Sequence, residues 1–362
     1  MVNNKSKLTL IVDGNWLLMS RWAVLNGRFY DDAEMCRELQ LTMVKSINVV
    51  LRTFPSIDNI IFVSDGGSWR QKIPMPSFMI DEYKGNRELD PTINWDMIFS
   101  YYEEFVKLLE ENGITACRVQ GVEGDDWCWY WSNKLNSEGT NCIIWSMDKD
   151  LTQLVKTDHT TGVFTVCWNK NGVVVEEGDY SENTDLDFFF GDLNKENNDR
   201  YFHEVISKST KVSRINPKEV VIDKIIRGDK GDNIFPIITR TSAKGTVDKL
   251  FRVSTKDVDM NLDIHNENEV KQYISNLLSM KNYAGRVVKK VGDNYSEKTP
   301  NEILEHFNYN VRLVTLEKQS YPDDILEQMN TYTGYVPNRN ISSVTSYITA
   351  KSNKLSSILD II

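Results

Sequence analysis

Four apolar runs punctuate the first half of the chain, and each stops at acidic residues. Leu8–Val12 ends at Asp13-Gly14, and Asn59–Val63 at Ser64-Asp65-Gly66-Gly67. Ile114–Val119 passes through Gln120 into Gly121-Val122-Glu123-Gly124-Asp125-Asp126, and Asn141–Ser146 ends at Met147-Asp148-Lys149-Asp150. Short continuous apolar runs bounded by turn residues predict strands buried on both faces. Helical spacing lies between them, over 34–53, Trp95–Asn112 and Trp127–Leu135, and a short helix is predicted from Asp150. The alternation β-α-β-α-β-α-β predicts an α/β fold, a parallel sheet with helices on both faces. Val163–Trp168 and Val173–Glu176, joined by Asn169-Lys170-Asn171-Gly172, predict a hairpin with an Asn-Gly turn.

Elsewhere the pattern weakens. Residues 68–92 mix Trp69, Arg70, Lys72 and two prolines with Glu82-Tyr83-Lys84-Gly85-Asn86-Arg87, which predicts a partly helical excursion from the sheet. Residues 181–215 are polar and predict a loop-rich insertion. Asn216-Pro217 opens a helix to about Arg227, with Pro at the first helical position, followed by Gly228-Asp229-Lys230-Gly231-Asp232-Asn233. Further helices are predicted over 243–253 and 268–280, and the tail 301–362 alternates short helices with Pro and Asn breaks. The organisation suggests one domain over residues 1–200, with its excursion at about 68–92, and a helical domain over 201–362.

In a parallel sheet the carboxyl ends of the strands share one edge, where ligands bind in open α/β folds. Asp13, Asp65, Glu123, Asp125, Asp126, Asp148 and Asp150 are therefore expected to converge, with Asp229 and Asp232 contributed by a distant loop. Each acid alone also reads as a turn or helix-cap residue. Together they would repel one another unless cations neutralised them. All-oxygen donors without clustered His or Cys favour Mg²⁺, with Mn²⁺ as a substitute, over zinc. Two such ions can activate a water and stabilise a leaving oxygen in phosphodiester cleavage. Lys84 and Arg87, three residues apart, are candidates to reach the phosphate, and Tyr83 or Trp69 to stack on a base.

Composition refines this picture without changing it. The 362 residues carry a net charge of -10, which argues against a generic nucleic-acid binder. Residues 201–256 nevertheless hold twelve Lys and Arg against six Asp and Glu, a basic segment within an acidic protein. The five cysteines are scattered, with no Cys-x-x-Cys pair, and predict small core residues of a reducing cytoplasm. No apolar run approaches a membrane span.

These motifs, in this order and approximate spacing over residues 8–252, resemble those of the flap endonuclease / 5′-3′ exonuclease family. The tail, through Arg312-Leu313-Val314-Thr315-Leu316 and Tyr321-Pro322-Asp323-Asp324-Ile325, is similar to phage members with ribonuclease H activity. The resemblance implies a PIN-like nuclease domain, a helical arch, and a C-terminal DNA-binding region with a helix-turn-helix module at about 216–256. It implies catalytic roles for Lys84, Arg87, Asp148 and Asp150, and metal roles for Asp13, Asp65, Glu123, Asp125, Asp126, Asp148, Asp150, Asp229 and Asp232. Two or more Mg²⁺ ions would be held. Expected DNA-binding residues are Arg21, Arg70, Lys72, Tyr83, Arg240, Lys244 and Lys249. Branched or nicked duplex DNA and RNA–DNA hybrids are the implied substrates. A single-strand-binding protein or replisome clamp is the implied partner of a monomer acting in the cytoplasm of a bacterial host. A PIN-type ribonuclease, or a non-catalytic DNA-structure-binding homologue, remain as alternative readings.

Overall fold

The computed structural model describes residues 7–79, 82–86, 88–177, 193–241, 247–248, 252–283, 288–291 and 294–359. They form two compact units. The first comprises residues 1–67, 89–215 and 327–362, and the second 68–88 and 216–326. The chain thus leaves the first unit at residue 68, re-enters it at 89 and returns to it once more at its end. The sequence reading had grouped 68–88 with the first domain and 327–362 with the second.

In the first unit the order is β1 (Leu8–Asp13), α1 (Gly14–Leu25), α2 (Asp32–Thr53), β2 (Asn59–Val63), α3 (Trp95–Glu111), β3 (Thr115–Cys117), α4 (Gly124–Ser137) and β4 (Asn141–Trp145). There follow β5 (Lys156–Thr157), β6 (Phe164–Asn169), β7 (Gly172–Glu176), α5 (Leu193–Ser207) and β8 (Val212–Ile215). All four predicted strands form, and β1, β2, β3 and β4 pair in parallel. The sheet order is β3-β2-β1-β4-β6-β7-β8, with β5 alongside β6 and the predicted hairpin β6-β7 antiparallel. The α/β class expected from the pattern is therefore the one observed.

Strand residues alternate between the two faces. Leu8, Leu10 and Val12 join Ile60, Phe62, Ile143 and Trp145 in one core with α1, α2 and α3. Their sequence neighbours face the opposite layer, where α4 packs on β4 and β1. The cysteines are all buried and free, as their apolar surroundings predicted.

Order β3-β2-β1-β4 positions the site. From β1 the chain moves outward to β2 and β3, then crosses to β4 on the other side of β1. The space between the carboxyl ends of β1 and β4 is a topological switch point, where such sheets bind ligands. At the far edge, β3 is covered by the C-terminal segment. Thr115 Oγ1 donates to Val336 O at 3.0 Å and accepts from Val336 N at 2.8 Å, and Tyr332 Oη donates to Ala116 O at 2.8 Å. Ile341, and Val344 and Ile348 of the helix Ser342–Leu359 that follows it, then join the core beside α2. Covering an edge strand removes a template for unwanted pairing.

Three expectations differ from the structure. Helix α1 was not predicted. Within the polar stretch 181–215, α5 and β8 form ordered elements, and residues 178–192 lie outside the described set. Of the helix predicted over 243–253, residues 243–246 and 249–251 lie outside the described residues, and Val247–Asp248 pairs antiparallel with Arg240–Thr241. The second helix of the expected helix-turn-helix after α6 (Pro217–Arg227) therefore falls largely outside the described residues.

The second unit is mainly helical, with α6, α7 (Glu267–Ser279) and α8 (Pro300–Val314). Buried Asn310 of α8 donates to Ile225 O and Phe235 O, both at 2.8 Å, and so ties α8 to the end of α6 and the loop beyond it. The excursion contains one short 3-10 turn, Trp69–Lys72, and otherwise turns and extended chain among its described residues. Pro74 and Pro76 remove backbone donors there, which explains why no α-helix propagates.

Candidate metal centre

Asp13 is the last residue of β1 and the N-cap of α1. One carboxylate oxygen accepts from Trp16 N at 3.0 Å, the capping bond, and the other accepts from Ser146 Oγ at 2.7 Å. Ser146 follows β4, so this bond spans the switch point. The Ser146 hydroxyl also accepts from Asp148 N at 2.9 Å, and Asp148 Oδ1 accepts from Asp150 N at 2.9 Å. The Asp148-Lys149-Asp150 turn is thereby fixed to the end of β1. Lys149 is exposed, and Asp148 is exposed on the open edge.

Asp13 itself is buried. Burial, with a smaller push from the negative charges of Asp65 and Asp148, raises its pKa from 3.8 to about 7 against the opposing pull of the Trp16 and Ser146 bonds. The same field reaches the layer beneath: Asp125 and Asp148 help to hold the buried Cys167 thiol in its neutral form. The acids of β1, β2, α4 and β4 thus act electrostatically as one group.

Asp65 follows β2. Its Oδ2 accepts from Asn15 Nδ2 and its Oδ1 from Gly124 N, both at 2.6 Å. Its amide donates to Asn15 Oδ1 at 3.1 Å, and its carbonyl accepts from Arg118 Nε at 3.1 Å. Beside it, Gly66 N donates to Val122 O and Gly121 N to Gly66 O, both at 2.8 Å. This clamp joins the turn after β2 to the turn that starts α4. A Cβ at position 66 would lie 1.8 Å from Val119 O, so only glycine permits the approach.

Glu123 caps α4, and Asp125 and Asp126 fill its first turn, where negative charge complements the free N–H groups. Asp126 is fully buried, and its Oδ2 accepts from Glu123 N at 2.9 Å. That bond completes a capping box. Asp126 thus serves the helix start and is fully buried in it. Glu123 is buried and Asp125 half-buried.

In the second unit, Asp229 and Asp232 flank a tight loop after α6. Lys224 Nζ lies 3.1 Å from Asp229 Oδ2 and 3.0 Å from Asp232 Oδ2. The excursion is pinned to this loop: Lys84 N donates to Asp232 O at 2.9 Å, Asn233 Nδ2 to Glu82 O at 2.8 Å, and Asn86 Nδ2 to Lys230 O at 3.3 Å. Lys84 has φ +56 and Asn233 φ +57, a conformation costly for lysine, which these bonds sustain. The Lys84 ammonium sits 4.9 Å from the centroid of the Tyr83 ring.

Burial corrects three expected DNA contacts. Arg70 is 2% exposed, with its guanidinium 4.6 Å from the Trp69 ring centroid and 5.9 Å from that of Tyr321. Tyr83 and Trp69 are likewise buried, and none of the three presents a face for a base or phosphate. Lys72 is exposed and Arg21 half-buried on α1. The side chain of Arg240, and all of Arg87, Lys244 and Lys249, lie outside the described residues.

The sequence reading missed Asn15, Ser146, Arg118 and Lys224. Asn15 and Ser146 each sit within two residues of a recognised acid, but the carboxylates they donate to, Asp65 and Asp13, are distant in sequence. Lys224 lies five residues before Asp229, with no local signal of the pairing.

Residues 8–183 match the family model described as the 5′-3′ exonuclease N-terminal, resolvase-like domain. The chain is 27% identical over 177 residues to the 5′-3′ exonuclease of Buchnera aphidicola subsp. Schizaphis graminum, covering 49% of this chain and 57% of that protein. It is 26% identical over 153 residues to the enzyme of subsp. Acyrthosiphon pisum, covering 42% and 50%. The chain thus spans about half the length of the curated relatives it matches. A solved flap endonuclease of bacteriophage T5, in a pseudo-enzyme-product complex with DNA and metal ions, has a similar fold. Its TM-score is 0.50, with 17% identity over 96% of this chain and all of that one.

Proposed function

The chain belongs to the flap endonuclease / 5′-3′ exonuclease family through residues 8–183, and from that premise we propose that it is a structure-selective, divalent-metal-dependent 5′ nuclease. The observation that carries the proposal is the Asp13 carboxylate at the switch point, raised to about 7 by burial and by the charges of Asp65 and Asp148. Such a cluster is unfavourable as it stands and is relieved by a cation. The donors fit Mg²⁺ or Mn²⁺: carboxylate oxygens on rigid elements, without thiolate or imidazole.

Asp13, Asp65, Glu123, Asp125, Asp148 and Asp150 would hold the ions. A bound divalent ion supplies Lewis acidity toward phosphoryl oxygens and lowers the pKa of water. The chain's own groups do the remaining work. Ser146 orients the Asp13 carboxylate and the Gly66 clamp fixes the start of α4; the family resemblance is what assigns Lys84 and Arg87 to the phosphate to be cleaved. The proposed substrates are 5′ flaps, nicks and RNA primers on duplex DNA, the structures that arise in lagging-strand synthesis.

The test is digestion of 5′-labelled flap, nicked and RNA-primed duplexes with Mg²⁺, with Mn²⁺ and with EDTA, beside a single-stranded RNA control. Release of 5′ fragments that requires the metal is expected. Cleavage that survives EDTA overturns the metal reading, and preference for single-stranded RNA returns the protein to the PIN-type ribonucleases.

A further inference from the structure

We propose that Asn15 is a positioning residue of this metal centre: its amide sets the Asp65 carboxylate and, through Asp65, the first turn of α4. The inference rests on the metal-dependent reading above and adds a residue that carries no charge.

Asn15 and Asp65 are fifty positions apart and exchange two bonds. Asn15 Nδ2 donates to Asp65 Oδ2 at 2.6 Å, and Asp65 N donates to Asn15 Oδ1 at 3.1 Å. The backbone and the side chain of Asp65 are therefore both held by one amide. The amide's orientation is determined by its surroundings. Turned over, its oxygen would face a carboxylate and its NH₂ would face a backbone N–H, so both bonds would be lost. Tyr102 reinforces the same orientation. Its hydroxyl donates to Asn15 Oδ1 at 3.1 Å and lies 2.7 Å from Ser64 Oγ, which must then donate to it. The Tyr102 phenol is buried and stays protonated, since burial raises its pKa well above the usual value.

The relay does not stop at Asp65. The second carboxylate oxygen accepts from Gly124 N at 2.6 Å, the first residue of the helix that carries Asp125 and follows Glu123. One chain of bonds thus runs from α3 (Tyr102) through α1 (Asn15) and the turn after β2 (Asp65) to α4 (Gly124). It fixes the rotation of one acid and the entry of the helix that bears Asp125 and is capped by Glu123. Groups that orient metal-binding carboxylates in this way affect ion affinity as much as many ligands do.

Asn15 is a poor candidate for general stability. It is half-buried, whereas α1 is anchored by Leu17, Leu18 and Leu25, and the cap of α1 is supplied by Asp13. Asn15→Ala should therefore leave the fold intact while freeing the Asp65 carboxylate.

The experiment is Mn²⁺ titration of the full chain without DNA, read by electron paramagnetic resonance, together with thermal unfolding of the metal-free protein. For Asn15→Ala a loss of Mn²⁺ affinity of about tenfold is expected, with an unchanged unfolding midpoint. Tyr102→Phe, which removes only the hydroxyl, is expected to show a smaller loss in the same direction. Unchanged Mn²⁺ affinity in Asn15→Ala overturns the proposal. So does a loss of affinity matched by a fall in the metal-free midpoint, since that marks a structural residue. If the unsubstituted protein binds no Mn²⁺, the metal-dependent reading itself fails and this inference falls with it.

Discussion

Replacing Asp13 by Asn should stabilise the metal-free protein while removing its nuclease activity. Folded, the Asp13 carboxyl keeps its proton up to about pH 7, whereas unfolded it releases it near 3.8. Between those values the folded state binds more protons than the unfolded one, so stability falls as pH rises through the window and stays low above it. The full penalty above pH 7 is about 4 kcal/mol for a shift from 3.8 to about 7. At pH 5 only about 1.5 kcal/mol of it has developed. Asn carries no charge but has one oxygen for the two donors, Trp16 N and Ser146 Oγ, and the weakened bond costs about 1 kcal/mol. A net gain of about 2–4 kcal/mol at pH 8, falling below about 1 kcal/mol at pH 5, is expected in EDTA. Urea unfolding of both proteins at pH 5, 6, 7 and 8 measures it, and the difference between them isolates this carboxyl from other titrating groups. No gain at pH 8, or the same gain at pH 5 as at pH 8, would refute the reasoning. Adding Mg²⁺ should reverse the order at pH 8, because only the unsubstituted protein regains stability by binding it.

Four further outcomes are expected. Asp148→Asn should lower the cleavage rate by more than about 100-fold with unchanged far-UV circular dichroism, and an unchanged rate would remove the turn after β4 from the chemistry. Lys84→Ala should reduce kcat far more than it raises KM for a flap substrate, and equal effects on both would limit Lys84 to binding. Lys224→Met leaves the Asp229 and Asp232 carboxylates without the ammonium that now bridges them, and should destabilise the protein by about 3 kcal/mol in urea unfolding. Gly66→Ala places a methyl against Val119 O and should cost about 2–3 kcal/mol, with a loss of Mn²⁺ affinity as the start of α4 shifts.

Much of the fold was legible because its strands are uninterrupted apolar runs that stop at charged turns. β1, β2 and β4 are buried along their whole length, and no other element type accommodates five or six such residues between polar turns so simply. Helix α1 was hidden for the opposite reason. Trp16, Leu17, Leu18 and Met19, then Trp22, Ala23, Val24 and Leu25, are apolar on every side, so no helical stripe stands out. Its one clear signal, Asp13 as N-cap, had already been assigned to chemistry. Both roles are real, since one carboxylate oxygen caps the helix and the other meets Ser146. The segment 193–215 was hidden by composition: polar residues dominate, and the pairing of β8 with β7 is a long-range fact that no local window contains.

The same limit governs the site. Asp13 and Asp126 are the same residue type, each at the start of a helix, each within a motif that attracts attention. What separates them is the destination of the carboxylate. One Asp126 oxygen turns back to Glu123 N in its own helix start, whereas Asp13 reaches across the sheet to Ser146 and stands in the field of Asp65 and Asp148. Both acids lie in a helix start, but Asp13 is the N-cap and Asp126 the third helical residue, so each oxygen meets a different donor. Arg70 shows the converse: a cationic type expected on the surface is enclosed by Trp69 and Tyr321, where its planar group packs as an aromatic would. Convergence of acids was thus readable from strand order and charge, but the division of labour among them was not. It is set by which donors each carboxylate meets, and the two donors of Asp13 do not offset its burial.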